Sequence, residues 1–170
     1  MKSTVNIDTS YGLITVELVS GSLELTVRNF VEYVEDGFYN NTLIHRVIDN
    51  FIIQGGGFEQ GFIQKTTKPP IRNESTKGLQ NKRGTIAMAR LPNEPDSATA
   101  QFFINTRDND VLDYKEDAST NQGYCAFGRV TEGMEIVERI EGVGTTIKGD
   151  HKDVPSNEIV IERMELTRKK

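Results

Sequence analysis

Polar and apolar residues alternate along much of this chain. Val5–Ile7 and Leu13–Leu18 keep the two-residue period of half-buried strands, and Tyr11-Gly12 between them makes the pair a hairpin. The period then lengthens. In LELTVRNFVEYVEDG, Val27, Phe30, Val31 and Val34 fall at i, i+3, i+4 and i+7, the stripe of an amphipathic helix. Ser22 is its expected N-cap and Gly37 its C′ glycine. Strand-like segments follow at Leu43–Ile48, Phe51–Gln54, Gly84–Arg90, Gln101–Asn105 and Ala126–Val130. Turn-rich stretches separate them at Lys65–Lys82, Leu91–Thr99 and Asp113–Gly123. A second helix is expected over GMEIVERIEG, with Met134, Val137 and Ile140 or Glu141 on one face, and EIVIERMEL reads as a last strand. About seven or eight strands without β-α-β alternation predict an antiparallel barrel or sandwich, and periodicity alone leaves both open.

The interruptions in this pattern carry the chemistry. LIHRVIDNFIIQGGG, Leu43–Gly57, sets an arginine inside an apolar run, then a glutamine and three glycines. On a regular strand Arg46 shares its face with Ile44 and Ile48, while His45 goes with Leu43 and Val47. The two cannot easily converge on one substrate, and His45 is read as structural. A guanidinium leaving an apolar face is either a snorkelling side chain or a donor with a task. AMAR (Ala87–Arg90) and ATAQFFIN (Ala98–Asn105) add small and aromatic residues, with Gln101 and Phe103 on one face. One cationic donor, two amides and several apolar side chains make a peptide-sized pocket without a nucleophile.

Composition narrows the classes. The 170 residues imply one domain spanning 1–170, and 36% hydrophobic residues with 15 glycines suit an ordered core. A net charge of −5 argues against a general nucleic-acid surface. No apolar run reaches the ~18–20 residues of a membrane span, and MKSTVNIDTSYGLITVEL lacks a secretory h-region. The single cysteine, Cys125 in GYCAFG, excludes an internal disulfide and is expected as a small buried residue. A cytoplasmic protein is the expectation. Two histidines, His45 and His151, without CxxC or HExxH, imply neither a metal site nor any other cofactor. In GGGFEQG, Gln60 stands where a dinucleotide loop needs its third glycine, no Walker lysine follows, and no G-x-S-x-G elbow is present.

Four blocks carry a resemblance. IHRVIDNFIIQGGGF, RGTIAMAR, SATAQFFIN and GYCAFGRVTEGMEIV, in this order and spacing, resemble the cyclophilin family of peptidyl-prolyl cis–trans isomerases, most closely its bacterial cytoplasmic-type members. The likeness runs from the first hairpin to the last strand. It implies a mainly β fold: a closed eight-stranded antiparallel β-barrel with two capping helices. It also implies that Arg46 is the catalytic arginine with Gln54 beside it. Phe51, Ile52, Ala89, Arg90, Gln101, Phe103, Leu112 and Tyr124 would line the substrate groove. Strict alternation puts Phe51 and Gln54 on opposite faces, so a bulge or bend between them is required. The implied partners are proline-containing peptides and unfolded chains, bound by a monomer. The chain has Ile44 where the family usually has Phe, Ile52 where Met is common, and Tyr124 where many members carry His. At Val111, where the family often has Trp or Phe, binding of the drug cyclosporin is expected to be weak.

Two other readings remain open on the sequence. A proline-recognition module would bind such peptides and turn them over slowly. A metal-free hydrolase or nuclease would use His45 with an acidic neighbour and would titrate near pH 6–7. The glycines are expected as a tight turn beside the groove, and Thr167–Lys170 as a solvated end.

Overall fold

The structure, a computed structural model, describes residues 2–116 and 122–169. Its strands are β1 (Lys2–Thr9), β2 (Gly12–Leu18), β3 (Thr42–Ile48), β4 (Ile52–Glu59), β5 (Ile63–Gln64), β6 (Thr85–Met88), β7 (Phe102–Asn105), β8 (Ala126–Glu132), β9 (Thr145–Lys148), β10 (His151–Pro155) and β11 (Val160–Lys169). Its helices are α1 (Glu24–Glu35) and α2 (Met134–Glu141). Eight strands close in the order β3-β11-β1-β2-β8-β6-β7-β4, with β4 returning to β3 and all pairs antiparallel. These eight correspond to the eight segments read as strands in the sequence. The fold is a closed antiparallel barrel with two capping helices, and closure removes the unpaired edges a sandwich would keep.

Alternation fills the barrel. Val5 and Ile7 of β1 pair with Val16 and Ile14 of β2, and all four are buried. Ile53, Ile86, Ile104 and Phe127 join them from the far side, and α2 adds Val137 and Ile140. From α1, Phe30 packs its ring against Tyr39, Phe102 and Phe127, at centroid distances of 5.4, 5.9 and 4.9 Å. The Tyr39 hydroxyl donates to the Ala100 carbonyl at 2.7 Å, so this buried phenol keeps a partner.

Helix α1 buries Thr26, Asn29, Phe30, Tyr33 and Val34, with Val27 and Val31 at the edge of that face. Its N-terminus corrects the sequence reading. The cap position is Leu23, which makes no side-chain capping bond, and Ser22 lies outside it. The carboxylate of Glu74, 48 residues away, accepts from both the Thr26 amide and hydroxyl at 2.6 Å. A remote anion thus satisfies an amide that local capping leaves open. The C-terminus is as expected. Gly37 has φ +70°, its N–H donates to Val34, Phe38 donates to Tyr33, and the Tyr33 and Phe38 rings pack at 4.8 Å.

The end of the chain is solvated as expected, and it is also ordered. Thr167, Arg168 and Lys169 pair with Thr4, Ser3 and Lys2, so residues 167–169 are exposed strand. No helix among the described residues is long and apolar enough to cross a membrane.

Candidate active-site groove

The β3–β4 pair decides where Arg46 points. Ile44 pairs with Gly55 and Arg46 with Gln54, so two steps on β3 match one on β4, and His45 is the extra residue of a bulge. Strict alternation fails at this point. Ile44 and Val47 both enter the main core, whereas Arg46 faces outward over the barrel wall. The expected sharing of a face by Arg46 and Ile44 is therefore wrong, as is that of His45 with Val47.

The glycines are corrected too, because they lie within β4 and form no turn. Between Thr42–Glu59 and Ile44–Gly55, two steps on β3 span four on β4, so this strand carries extra residues. A Cβ on Gly55 would sit 2.6 Å from the Leu43 carbonyl oxygen. Gly56 has φ +87° and lies under the Phe102 and Tyr39 rings, and Gly57 lies under the Gln101 side chain. Each glycine permits a close approach that a side chain would block.

Phe51 resolves the alternation problem. It ends the turn before β4, after Asn50 at φ +56°, so the period of the strand does not bind it. Arg46, Phe51, Ile52, Gln54, Ala89, Arg90, Phe103, Leu112 and Tyr124 line one cavity of about 370 Å³, together with Pro92. Its floor is the second apolar cluster, Ile52, Ala87, Phe103 and Ala126, on the outer face of the barrel. Gln101 lies in an adjoining cavity of about 310 Å³ and reaches the groove through Gln54. Arg46 Nη1 donates to Gln54 Oε1 at 3.0 Å, and Gln54 Nε2 donates to Gln101 Oε1 at 2.9 Å. No ion pair among the described residues involves Arg46, so its charge is not spent on a carboxylate.

Three asparagines missed by sequence reasoning position this wall. Asn81, Asn105 and Asn109 are 1%, 0% and 3% exposed, which calls for full hydrogen bonding. Asn109 Nδ2 donates to the Phe51 carbonyl and to Asn105 Oδ1, and Asn105 Nδ2 donates to Asn81 Oδ1. Asn81 Nδ2 donates to the carbonyls of Tyr124 and Leu112. The network ties three groove residues to β7. Periodicity gives it no signal, since asparagine reads as a turn residue. Of the loop Asp113–Gly123, residues 117–121 lie outside the described residues.

His45 turns away from the groove. It is 6% exposed, and its ring lies 4.6 Å from Phe58, which with Phe62 also contacts His151 of the β9–β10 hairpin. Burial first, then the charges of His151 and Arg46, push the His45 pKa down to about 4. A histidine with its ordinary pKa near 6.5 when unfolded and about 4 when folded takes up its proton only in the unfolded state between those values. Stability contributed by neutral His45 is therefore present above about pH 6.5 and lost as pH falls towards about 4, by roughly 3 kcal/mol in total. Urea unfolding across this range should show the wild type losing more stability than His45→Leu. Parallel curves would contradict the assignment. Burial also pushes the Cys125 thiol up to about 11, as suits a buried residue that stays a thiol.

An outward-facing groove on an antiparallel barrel, lined by aromatic and aliphatic side chains and by an Arg46 guanidinium that bonds to Gln54 and to no carboxylate among the described residues, has the form of a site for an extended chain. Comparison with known proteins makes the class specific. Residues 4–166 match the family model described as cyclophilin type peptidyl-prolyl cis-trans isomerase/CLD. The chain is 48% identical to peptidyl-prolyl cis-trans isomerase B of Escherichia coli, covering 96% of this chain and 99% of that protein. It is 47% identical to peptidyl-prolyl cis-trans isomerase A of Dickeya dadantii, covering 97% and 85%. A crystal structure of a Cryptosporidium parvum cyclophilin-type isomerase, described as in the presence of the dipeptide Ala-Pro, superposes with a TM-score of 0.75 at 25% identity, over 98% of this chain and 99% of that one. The chain belongs to the cyclophilin-type peptidyl-prolyl cis–trans isomerase family and is an enzyme of that class.

Proposed function

We propose that this chain, as one domain over residues 1–170, speeds rotation about X–Pro bonds in peptides and unfolded chains, with Arg46 stabilising the twisted amide. The observation that carries this reading is the Arg46–Gln54 bond of 3.0 Å at the edge of an apolar cavity. An X–Pro bond prefers trans only slightly, yet it isomerises in tens to hundreds of seconds. Its barrier, about 18–20 kcal/mol, is the amide resonance lost on twisting. No covalent bond breaks, so no nucleophile is needed. As the C–N bond turns, the proline nitrogen regains its lone pair, and a guanidinium held nearby donates to it only then. Such an interaction is stronger in the transition state than in the ground state, which is the condition for catalysis.

Phe51, Ile52, Phe103 and Leu112 hold the proline ring in this account. Gln54 spends its carbonyl on Arg46 and one N–H on Gln101, which leaves its second N–H for the substrate carbonyl. The main chain at Ala89–Arg90 anchors the residues before proline while the other side turns, with Gln101 and Tyr124 bounding the peptide. The Ala-Pro dipeptide named with the Cryptosporidium structure supports a proline-containing ligand. The protein acts as a monomer in the cytoplasm and assists folding without a cofactor.

Cyclosporin binds weakly in this reading, because Val111 is 65% exposed and offers a small aliphatic contact where the family often has a large aromatic one. A submicromolar Kd by calorimetry would overturn that expectation. The function itself is tested by exchange NMR on an Ala-Pro-Phe peptide. Catalysed cis–trans exchange, nearly flat across about pH 6–8, is expected because arginine stays charged throughout. Peptide shifts that report binding without exchange would make this a proline-recognition module. Cleavage of the peptide in place of exchange would favour a hydrolase.

A further inference from the structure

Arg90 borders both the groove and the adjoining cavity, yet its side chain is committed to protein. Nε and Nη2 both donate to the Gly123 carbonyl, at 3.3 and 3.1 Å. Nη1 donates to the carbonyls of Leu91 and Pro92, at 3.0 Å each. Its Cζ lies 4.2 Å from the centroid of the Tyr124 ring, within cation–π range. The same ring meets Phe103 of the groove floor edge-on, at 5.7 Å and 74°. Asn73 Nδ2 also donates to the Gly123 carbonyl at 3.0 Å, which holds that oxygen from a second side. The Leu91 end is braced as well, since its N–H donates to Ser97 Oγ at 2.8 Å.

We propose that the Arg90 side chain is a positioning residue that clips the Leu91–Pro92 segment to Gly123 and fixes the Tyr124 ring, so that the groove keeps one wall in place. The guanidinium suits this task because a planar fork serves carbonyls from two directions while its face stacks on an aromatic ring. Lysine, a point charge on a flexible stem, serves neither geometry. The clamp is present whether the peptide is planar or twisted. Its removal therefore acts on ground-state and transition-state binding alike, and the effect falls on KM, with kcat kept. This inference rests on the isomerase reading for its kinetic readout only.

Three measurements test it. In the folded wild type, nitrogen-detected NMR of the Arg90 guanidinium should show separate Hη resonances, because a clamped group does not rotate freely about Nε–Cζ. Arg90→Ala and Arg90→Lys should each raise KM about tenfold, on the scale of lost charge-assisted bonds, with kcat within about twofold of wild type. The Tyr124 ring protons should shift in both variants. Averaged Hη resonances in the wild type, an unchanged KM in either variant, or a loss carried by kcat would overturn the proposal. If Arg90→Ala does not fold, the wild-type guanidinium spectrum and Arg90→Lys still decide. If the wild type shows no turnover, the isomerase reading fails by itself, and calorimetric affinity for the Ala-Pro-Phe peptide reads the wall in place of KM.

Discussion

Arg46→Ala is expected to lower kcat/KM for an X–Pro peptide by about a hundred- to a thousandfold, the range found on removing one preorganised donor to a developing charge. The barrel should remain folded. Arg46 is half-buried at the groove edge, and its side chain bonds to Gln54, itself half-buried, so water replaces the lost donor at small cost. The loss should sit in kcat, because the donation to nitrogen exists only while the amide is twisted. Kinetics with a short Ala-Pro-Phe peptide, beside far-UV circular dichroism of the variant, checks both halves. An unaltered rate in a folded variant would remove Arg46 from the mechanism.

Gly57→Ala should lower kcat/KM by about tenfold, which corresponds to about 1.4 kcal/mol in the barrier. The new Cβ would fall 2.5 Å from Gln101 Cγ and 2.6 Å from Cδ, so Gln101 must leave the position from which it accepts the Gln54 N–H. Gln54 then loses the bond that fixes its amide, and with it the orientation it imposes on Arg46. Gly57 has no positive φ, so alanine suits its backbone, and the obstacle is a side chain able to swing away. Stability should therefore change little while activity falls. Urea unfolding and peptide kinetics on one preparation separate the two. A variant with wild-type kcat/KM would show that Gln101 does not support Arg46 through Gln54.

The contrast between what alternation reveals and what it hides is physical. Strands β1 and β2 are legible because they bury one face, so apolar residues recur with period two, and β6 and β7 because they are short apolar runs buried on both faces. Strands β9 and β10 are not, since TTIK is almost wholly exposed and HKDVP buries only its last two residues, which leaves no alternation to read. The bulge at His45 is hidden for a related reason. An extra residue adds no polar or apolar mark of its own, yet it reverses the facing of the residues after it. The glycines suggest a turn in sequence, whereas the Leu43 backbone, the Phe102 and Tyr39 rings and the Gln101 side chain fill the places their Cβ atoms would take. The groove residues came from motif resemblance, and the structure brings all but Gln101 around one cavity. The buried asparagines stay invisible because their role depends on pairing across residues 81, 105 and 109, which no local pattern encodes.

The central claim is that Arg46 acts on the twisted amide more than on the bound peptide. One NMR titration of the Ala-Pro-Phe peptide with wild type and Arg46→Ala, reading affinity from the shifts and cis–trans exchange from the same samples, tests it most directly. The account predicts Kd values within about threefold, less than about 1 kcal/mol apart, with exchange collapsing in the variant. Exchange that persists, or affinity that falls in step with exchange, would contradict it.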